Sequence, residues 1–420
     1  VFIDGRYHVQ VKNQTNKVFT PVHWPETSLA AWLNKNMRHG ESIGFDPWLH
    51  TVSEIEKTQS DLSDTGISLK PIENPIDKIW NDQPGNPVSK AVVYDAKYCG
   101  YSHKDKRSNL AKVLKIHNQS ATVITRPENI AWLLNMRGTD VAHVPIIHCL
   151  GILHADTSFD LFVDEDKIAN IKAYLGKDVR CHGLEEFFNG LKKLSGIVRI
   201  DPKSLPFAAS TILKNARITC DRNDDVVALP KACKNHVEIA RAEQAHLRDS
   251  AAMCEFLCWL DKQQTGELSE IDVAVALEGF RLANPELLEI SFDTISASGP
   301  NAALPHYRVT KVSDRILRQG EVMLVDSGGQ YLDGTTDITR TVAIGAQKSH
   351  VCEAFTRVLQ GMIAISCLKF PKGTAGRDID GFARAPLWAA GQDFAHGTGH
   401  GVGHFLTVHE GPQSISPKSI

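Results

Sequence analysis

The chain has 420 residues, enough for two or three domains. It is 42% hydrophobic and 23% charged with a net charge of −3, an ordinary globular composition with no global basic field to draw nucleic acid. No apolar run reaches the roughly 18 residues of a membrane span, so neither nucleic acid nor a membrane is expected as a partner. Along the chain, "VFIDGRYHVQVK" opens at Val1 and reads as strand, turn, strand; the true N-terminus, with any leader, is expected upstream. "ESIGFDP" reads as strand then turn. The turn-rich "IWNDQPGNPVSK" ends a first α/β domain, 1–88. Next, "SNLAKVLKIHNQSATVITRPENIAWLLNM" predicts helix, the strand "ATVIT", and a helix entered through Pro127 and Glu128. Similar alternation continues to "ITCDRNDDVVALPKA", giving a second α/β domain, 89–228.

The third region, 229–420, is α+β. Asn235 and Glu238 form a capping-box-like start to a long helix. Leu247, Ala251, Cys254 and Cys258 recur on it at helical spacing, predicting one apolar face. Cys254 and Cys258 then read as buried thiols packing as small hydrophobes. Ser269 and Asp272 open a second helix. "GEVMLVDSGGQYLDGTTDITRTVAIG" predicts strands around a loop at Asp333–Gly334, and "SHVCEAFTRVLQGMIAISCL" returns to helix. There are nine cysteines, none in a CxxC pair, which suggests a reducing compartment.

"HGTGHGVGHFLTVHEGP" packs four histidines among glycines. His396, His400 and His404 are spaced i, i+4, i+8, as on one helical face. The glycines between them cost about 1 kcal/mol each in a helix, so an extended or looped backbone is expected, free to approach a ligand or another strand closely. There is no HExxH. Asp326 follows the apolar run "VMLV", and Asp337 sits on the expected return strand. A strand interior avoids Asp, and two aspartates on neighbouring strands repel unless a cation holds them. Beside a histidine-rich strand, that pair predicts a metal site.

"LVDSGGQYLDGTTDITRTVAIG" and "HGTGHGVGHFLTVHEGP" resemble the metal-site motifs of Xaa-Pro aminopeptidases, metallopeptidases of the pita-bread fold related to prolidase and methionine aminopeptidase. "SFDTISASGPNAALPHY" precedes them in the family's order. "PENIAWLLNMRGTDVAHVP" and "IDGRYHVQ" resemble segments of the two upstream domains of the three-domain form. The resemblance spans nearly the whole chain. It implies two α/β N-terminal domains followed by a pita-bread catalytic domain.

The resemblance also implies roles. Asp326 corresponds to a bidentate ligand of one metal, Asp337 to a carboxylate bridging two, and His400 to the histidine ligand of the other. His306, His396 and His409 correspond to histidines around the metals or touching substrate. His404 has no counterpart and reads as structural or solvent-facing. Arg340 reads as a structural ion-pair partner, and Phe292 and Trp132 as core. The implied cofactor is two divalent ions, Mn²⁺ with Zn²⁺ or Co²⁺ as alternatives. The implied chemistry is attack of metal-activated hydroxide on peptides with proline second, in a cytoplasmic homodimer. Prolidase, cleaving only Xaa-Pro dipeptides, is the near alternative; a pita-bread binding module without catalysis is the distant one. The family's two further glutamate ligands are expected beyond Ile420, and Glu410 in "VHEGP" aligns with a different position.

Overall fold

Of the opening "VFIDGRYHVQVK", only the first strand forms. Phe2–Ile3 (β1) pairs in parallel with Val22–His23 (β2), while Gln10–Gln14, read above as the second strand, makes a short helical turn. The Asp4 carboxylate accepts from the Arg6 backbone and guanidinium, closing a turn where the strand was to continue. This computed structural model describes residues 1–263 and 266–417; residues 418–420 of the third expected domain lie outside the described ones. The chain divides into two compact units, Val1–Glu26 with Glu238–Ile420, and Thr27–Val237. Residues 27–88 and 89–228 thus share one unit, and residues 1–26 belong with the C-terminal one.

In the Thr27–Val237 unit, "ESIGFDP" supplies Ser42–Phe45 (β3), parallel to Ser68–Pro71 (β4). Between them runs Val52–Asp61 (α1), started by a Thr51/Glu54 capping box. His103–Ile116 (α2) begins at the Ser102/Asp105 box. Pro127–Leu134 (α3) has proline in its first turn and stops at Asn135 in the left-handed conformation, as a missing N–H and a tolerant side chain allow. Ala121–Ile124 (β5), Leu150–His154 (β6), Phe159–Phe162 (β7), Val179–His182 (β8), Ile197–Ile200 (β9) and Thr219–Arg222 (β10) form one sheet in the order β8-β7-β6-β5-β9-β10. β5 is buried at every position, which is why "ATVIT" carries no polar alternation. Val123, Ile152, Phe162, Phe187, Val198 and Leu213 pack on its faces, each contributing about 1.5–3 kcal/mol on full burial.

The other unit is built on His236–Asp261 (α4) and Glu270–Leu282 (α5). Asn235 Oδ1 accepts from Val237 N–H at the start of α4, and Ser269 with Asp272 completes the box at α5. The apolar face expected on α4 is the wrong one: Ala245, Ala252, Met253, Phe256 and Leu260 are buried, whereas Leu247 is 66% exposed. Cys254 and Cys258 are exposed as well. The core selected the stripe offset by one or two residues, which holds the larger Phe256 and Met253.

Ile295–Ser298 (β12), Glu321–Ser327 (β13) and Ile338–Ile344 (β16) make an antiparallel sheet in that order. Leu287–Ile290 (β11), Gly329–Tyr331 (β14) and Gly334–Thr335 (β15) make a second. Ser349–Ser366 (α6) pairs with Gly376–Trp388 (α7). Gly399–Gly401 (β17) and Glu410–Ile415 (β18) pair antiparallel. Side chains alternate along β13: Met323 and Val325 join the core with Phe256 and Val273, so Leu324 and Asp326 face the other way. Among the described residues no helix is long and apolar enough to cross a membrane.

Candidate active site

The opposite face of that sheet floors a cavity of about 760 Å³. β13 brings Asp326 to it by even-number alternation; on β16 Ile338 and Val342 are turned to the core and Thr339 to the cavity, and Asp337, expected on this strand, lies one residue before its start and lines the cavity too. Asp326 lies opposite Thr339 in the ladder, and the Thr339 hydroxyl donates to Asp326 Oδ1 at 2.7 Å. Gly328 makes the return between the two aspartates possible: a side chain there would collide with the Thr336 carbonyl.

His400 sits mid-way along β17, opposite Ser414. The backbone is extended, as the glycines predict, and two of them are obligatory. A Cβ at Gly401 would meet Gln413 and the Glu410 carbonyl, and one at Gly403 would meet Thr407. His400 Nδ1 bonds the Gly401 carbonyl at 2.8 Å, and Nε2 lies 3.3 Å from Asp337 Oδ2. His409 stands edge-on to His400, ring centroids 4.3 Å apart. His306 and His396 line the same cavity, and His396 Nδ1 bonds the Gly397 carbonyl. All six residues singled out by sequence, Asp326, Asp337, His400, His306, His396 and His409, therefore border one space. They do not close into a cage: among the described residues, no three His, Cys, Asp or Glu side chains gather as a metal-holding group.

The electrostatics are those of crowded like charges. Burial, then the neighbouring Asp337, pushes the Asp326 carboxyl up to about 6. The bond to Asp337 raises His400. Burial and the Arg6 guanidinium hold His306 below its ordinary value, and burial with His400 does the same for His409.

Phe292, expected in the core, lines the cavity. Trp132 is buried as expected. Arg340 is exposed and donates to the Thr339 carbonyl, with no acidic partner among the described residues. His404 is buried, which selects the structural of its two readings. Arg6, Tyr7 and Gln10 also line the cavity, and nothing local in "DGRYHVQ" marks them as site residues. Thr339 could have been found, because it is two residues from Asp337 on the expected return strand and so would share its face.

Residues 240–419 match the model of metallopeptidase family M24, and residues 1–79 and 82–238 match models of the creatinase/prolidase N-terminal domain. A probable Xaa-Pro aminopeptidase P of Aspergillus niger is 36% identical over 99% of this chain and 70% of its own length. The X-prolyl aminopeptidase of Caenorhabditis elegans, a cytosolic enzyme with a dinuclear active site, superposes with a TM-score of 0.93 at 33% identity, over all of this chain and 71% of that one. The prolidase of Pyrococcus horikoshii superposes less well, TM-score 0.59 at 25% identity, over 75% of this chain and 86% of that one. The creatinase-type N-terminal domains and the pita-bread catalytic domain implied by the sequence motifs are therefore present. The chain belongs to metallopeptidase family M24, in its Xaa-Pro aminopeptidase P group.

Proposed function

We propose that the protein is a metal-dependent aminopeptidase releasing the N-terminal residue from peptides whose second residue is proline. The observation that carries this reading is the convergence of Asp326, Asp337 and His400 on one cavity, in a chain 36% identical to a probable Xaa-Pro aminopeptidase P. The likeness to the C. elegans enzyme, much stronger than that to prolidase, favours the aminopeptidase over the dipeptidase. Retention of all three side chains argues against a binding module that has lost its metal.

The donor set fits divalent cations. Two carboxylates crowd together with Asp326 pushed up to about 6, an imbalance that positive charge relieves. The imidazole of His400 is anchored through Nδ1 to a backbone carbonyl, the arrangement that fixes a metal-binding histidine with Nε2 outward. Oxygen donors with one imidazole suit hard or borderline ions. We assign Asp326, Asp337 and His400 as ligands of two divalent ions, Mn²⁺ foremost, which supply an activated water and polarise the scissile carbonyl when bound.

The remaining roles belong to side chains. His306 and His409, whose neutral forms are favoured by burial and by neighbouring cations, can donate a hydrogen bond to the carbonyl oxygen as it gains charge. His396, with its Nδ1 committed to the Gly397 carbonyl, offers Nε2 to the substrate or the leaving nitrogen. Proline lacks an N–H, so the site need offer no acceptor at that position. The domain division 1–88, 89–228 and 229–420, a homodimer and a cytoplasmic location belong to the same reading. It is supported by the N-terminal family matches and, for location, by what is described of the C. elegans enzyme.

The test is release of the N-terminal residue from an Xaa-Pro-Xaa tripeptide, with loss of turnover in EDTA and recovery with Mn²⁺. Turnover of Xaa-Pro dipeptides alone would favour prolidase. No turnover of either by the metal-loaded full-length protein would leave the binding-module reading.

A further inference from the structure

Tyr7 lies 299 residues before His306 in the chain, yet its hydroxyl is 2.9 Å from His306 Nδ1. The two rings meet edge to face, centroids 5.7 Å apart at 77°. Both side chains line the cavity that holds Asp326 and Asp337. Tyr7 is not a loose terminal residue. Its carbonyl accepts from Val11 N–H, its N–H donates to the Asp4 carbonyl, and Val11 is buried. The Arg6 guanidinium beside it is locked onto Asp4. On the other side, the segment carrying His306 is held by Tyr307, whose hydroxyl donates to the buried Glu270 carboxylate.

We propose that Tyr7 is a positioning residue for the reaction: it donates to His306 Nδ1 and so fixes the imidazole as the tautomer that presents an Nε2–H donor to the substrate. The direction of the bond follows from acidity. A phenol O–H is the stronger acid and an imidazole nitrogen the stronger base, so the proton sits on oxygen. A neutral imidazole has one N–H; with Nδ1 accepting, that hydrogen is on Nε2, where it can serve as a donor to an oxygen gaining negative charge. Without the phenol both tautomers compete, and one of them turns a lone pair toward that oxygen. The edge-on ring contact restricts rotation of the imidazole plane as well. This inference rests on the role given above to His306, and it makes the first residues of the chain part of the reaction site.

The test uses metal-loaded full-length protein carrying Tyr7→Phe, which keeps the ring contact and removes only the hydroxyl. We expect kcat on an Xaa-Pro-Xaa tripeptide to fall about ten- to a hundredfold, with KM and bound metal little changed. The second readout is independent of turnover. Nitrogen chemical shifts of His306, assigned by difference from His306→Gln in ¹⁵N-histidine-labelled protein, should report the Nε2–H tautomer in the wild type and a mixture in Tyr7→Phe. Unchanged kcat in Tyr7→Phe, with His306→Gln strongly impaired, would overturn the proposal while leaving the role of His306 standing. An unimpaired His306→Gln would overturn both. An Nδ1–H tautomer in the wild type would overturn the proposal whatever the kinetics.

Discussion

Arg384 donates through Nη2 to the carbonyl of His396, 2.7 Å away and twelve residues along the chain. The same guanidinium bonds the Phe394 carbonyl, the Asp393 carboxylate and the buried Asp380 carboxylate, and lies 3.8 Å from the Phe394 ring centre. Thr398 donates to the other oxygen of Asp380. The Arg384–Asp380 pair on α7 thus holds the loop that carries His396 to the cavity, the arginine at residues 393–396 and the aspartate at Thr398. Arg384→Ala removes the cation and leaves Asp380 buried without it, a loss of about 3 kcal/mol. Urea unfolding should show it, and turnover should fall through displacement of His396. In Arg384→Ala/Asp380→Ala the loss should be smaller than the sum of the single losses, because the unpaired carboxylate is gone. Strict additivity would mean that the two side chains do not act as a pair.

A second anchor holds His306. Glu270, fully buried in the first turn of α5, accepts from Ser298 N–H and hydroxyl, Asn301 and Tyr307. Glu270→Gln keeps the shape but turns an amide NH₂ toward groups that are themselves donors. We expect a loss of about 2 kcal/mol and a fall in kcat with metal content unchanged. Hydrogen exchange of the Ser298 amide is the direct measure, and wild-type protection there would refute the anchor.

These anchors show where the sequence was legible. Asp326, Asp337 and His400 stand out because each breaks a local rule: aspartates in apolar strands, and a histidine among glycines too numerous for a helix. Strand alternation then orients both aspartates correctly. Glu270 breaks no local rule, since a charged residue on a predicted helix reads as solvated surface, and Arg384 lies in a stretch to which no element was assigned from the sequence. Their burial depends on loops far along the chain. The misread face of α4 has the same cause. Its 26 residues offer more than one apolar stripe, and only packing against Val273 and Met323 decides between them. Tyr7 was unreadable for a further reason, because its partner lies 299 residues away.

His103, almost wholly buried beside Tyr174, gives the Thr27–Val237 unit a pH dependence. Burial, then the Arg107 charge, depresses its pKa from 6.5 to about 4. The unfolded chain therefore takes up the proton first as pH falls. The stability tied to neutral His103 is fully present above about pH 6.5 and is lost progressively down to about pH 4. The loss is on the order of 3 kcal/mol. Hydrogen exchange of the α2 amides at pH 7 and pH 5 should show local stability falling in the wild type and falling less in His103→Leu. Equal falls would mean that His103 is not the titrating group.

Asp326 and Asp337 set function against stability. Side by side and partly buried, they repel in the absence of a cation; burial first, and then this repulsion, pushes the Asp326 carboxyl up to about 6. Asp326→Asn removes one of the two charges while leaving Oδ1 to accept from Thr339. The metal-free variant should therefore be more stable than metal-free wild type at pH 8, by about 1–2 kcal/mol. Added Mn²⁺ should reverse the order, since a ligand that binds only the folded state stabilises in proportion to its affinity, and the amide is the poorer donor to a hard cation. Thermal unfolding in EDTA and in excess Mn²⁺, on wild type and variant, gives all four values. Asp337→Ala should behave alike in EDTA and should abolish turnover. If Asp326→Asn destabilises the metal-free protein, the two carboxylates are not in conflict, and the strongest physical argument for a cation between these strands fails with it.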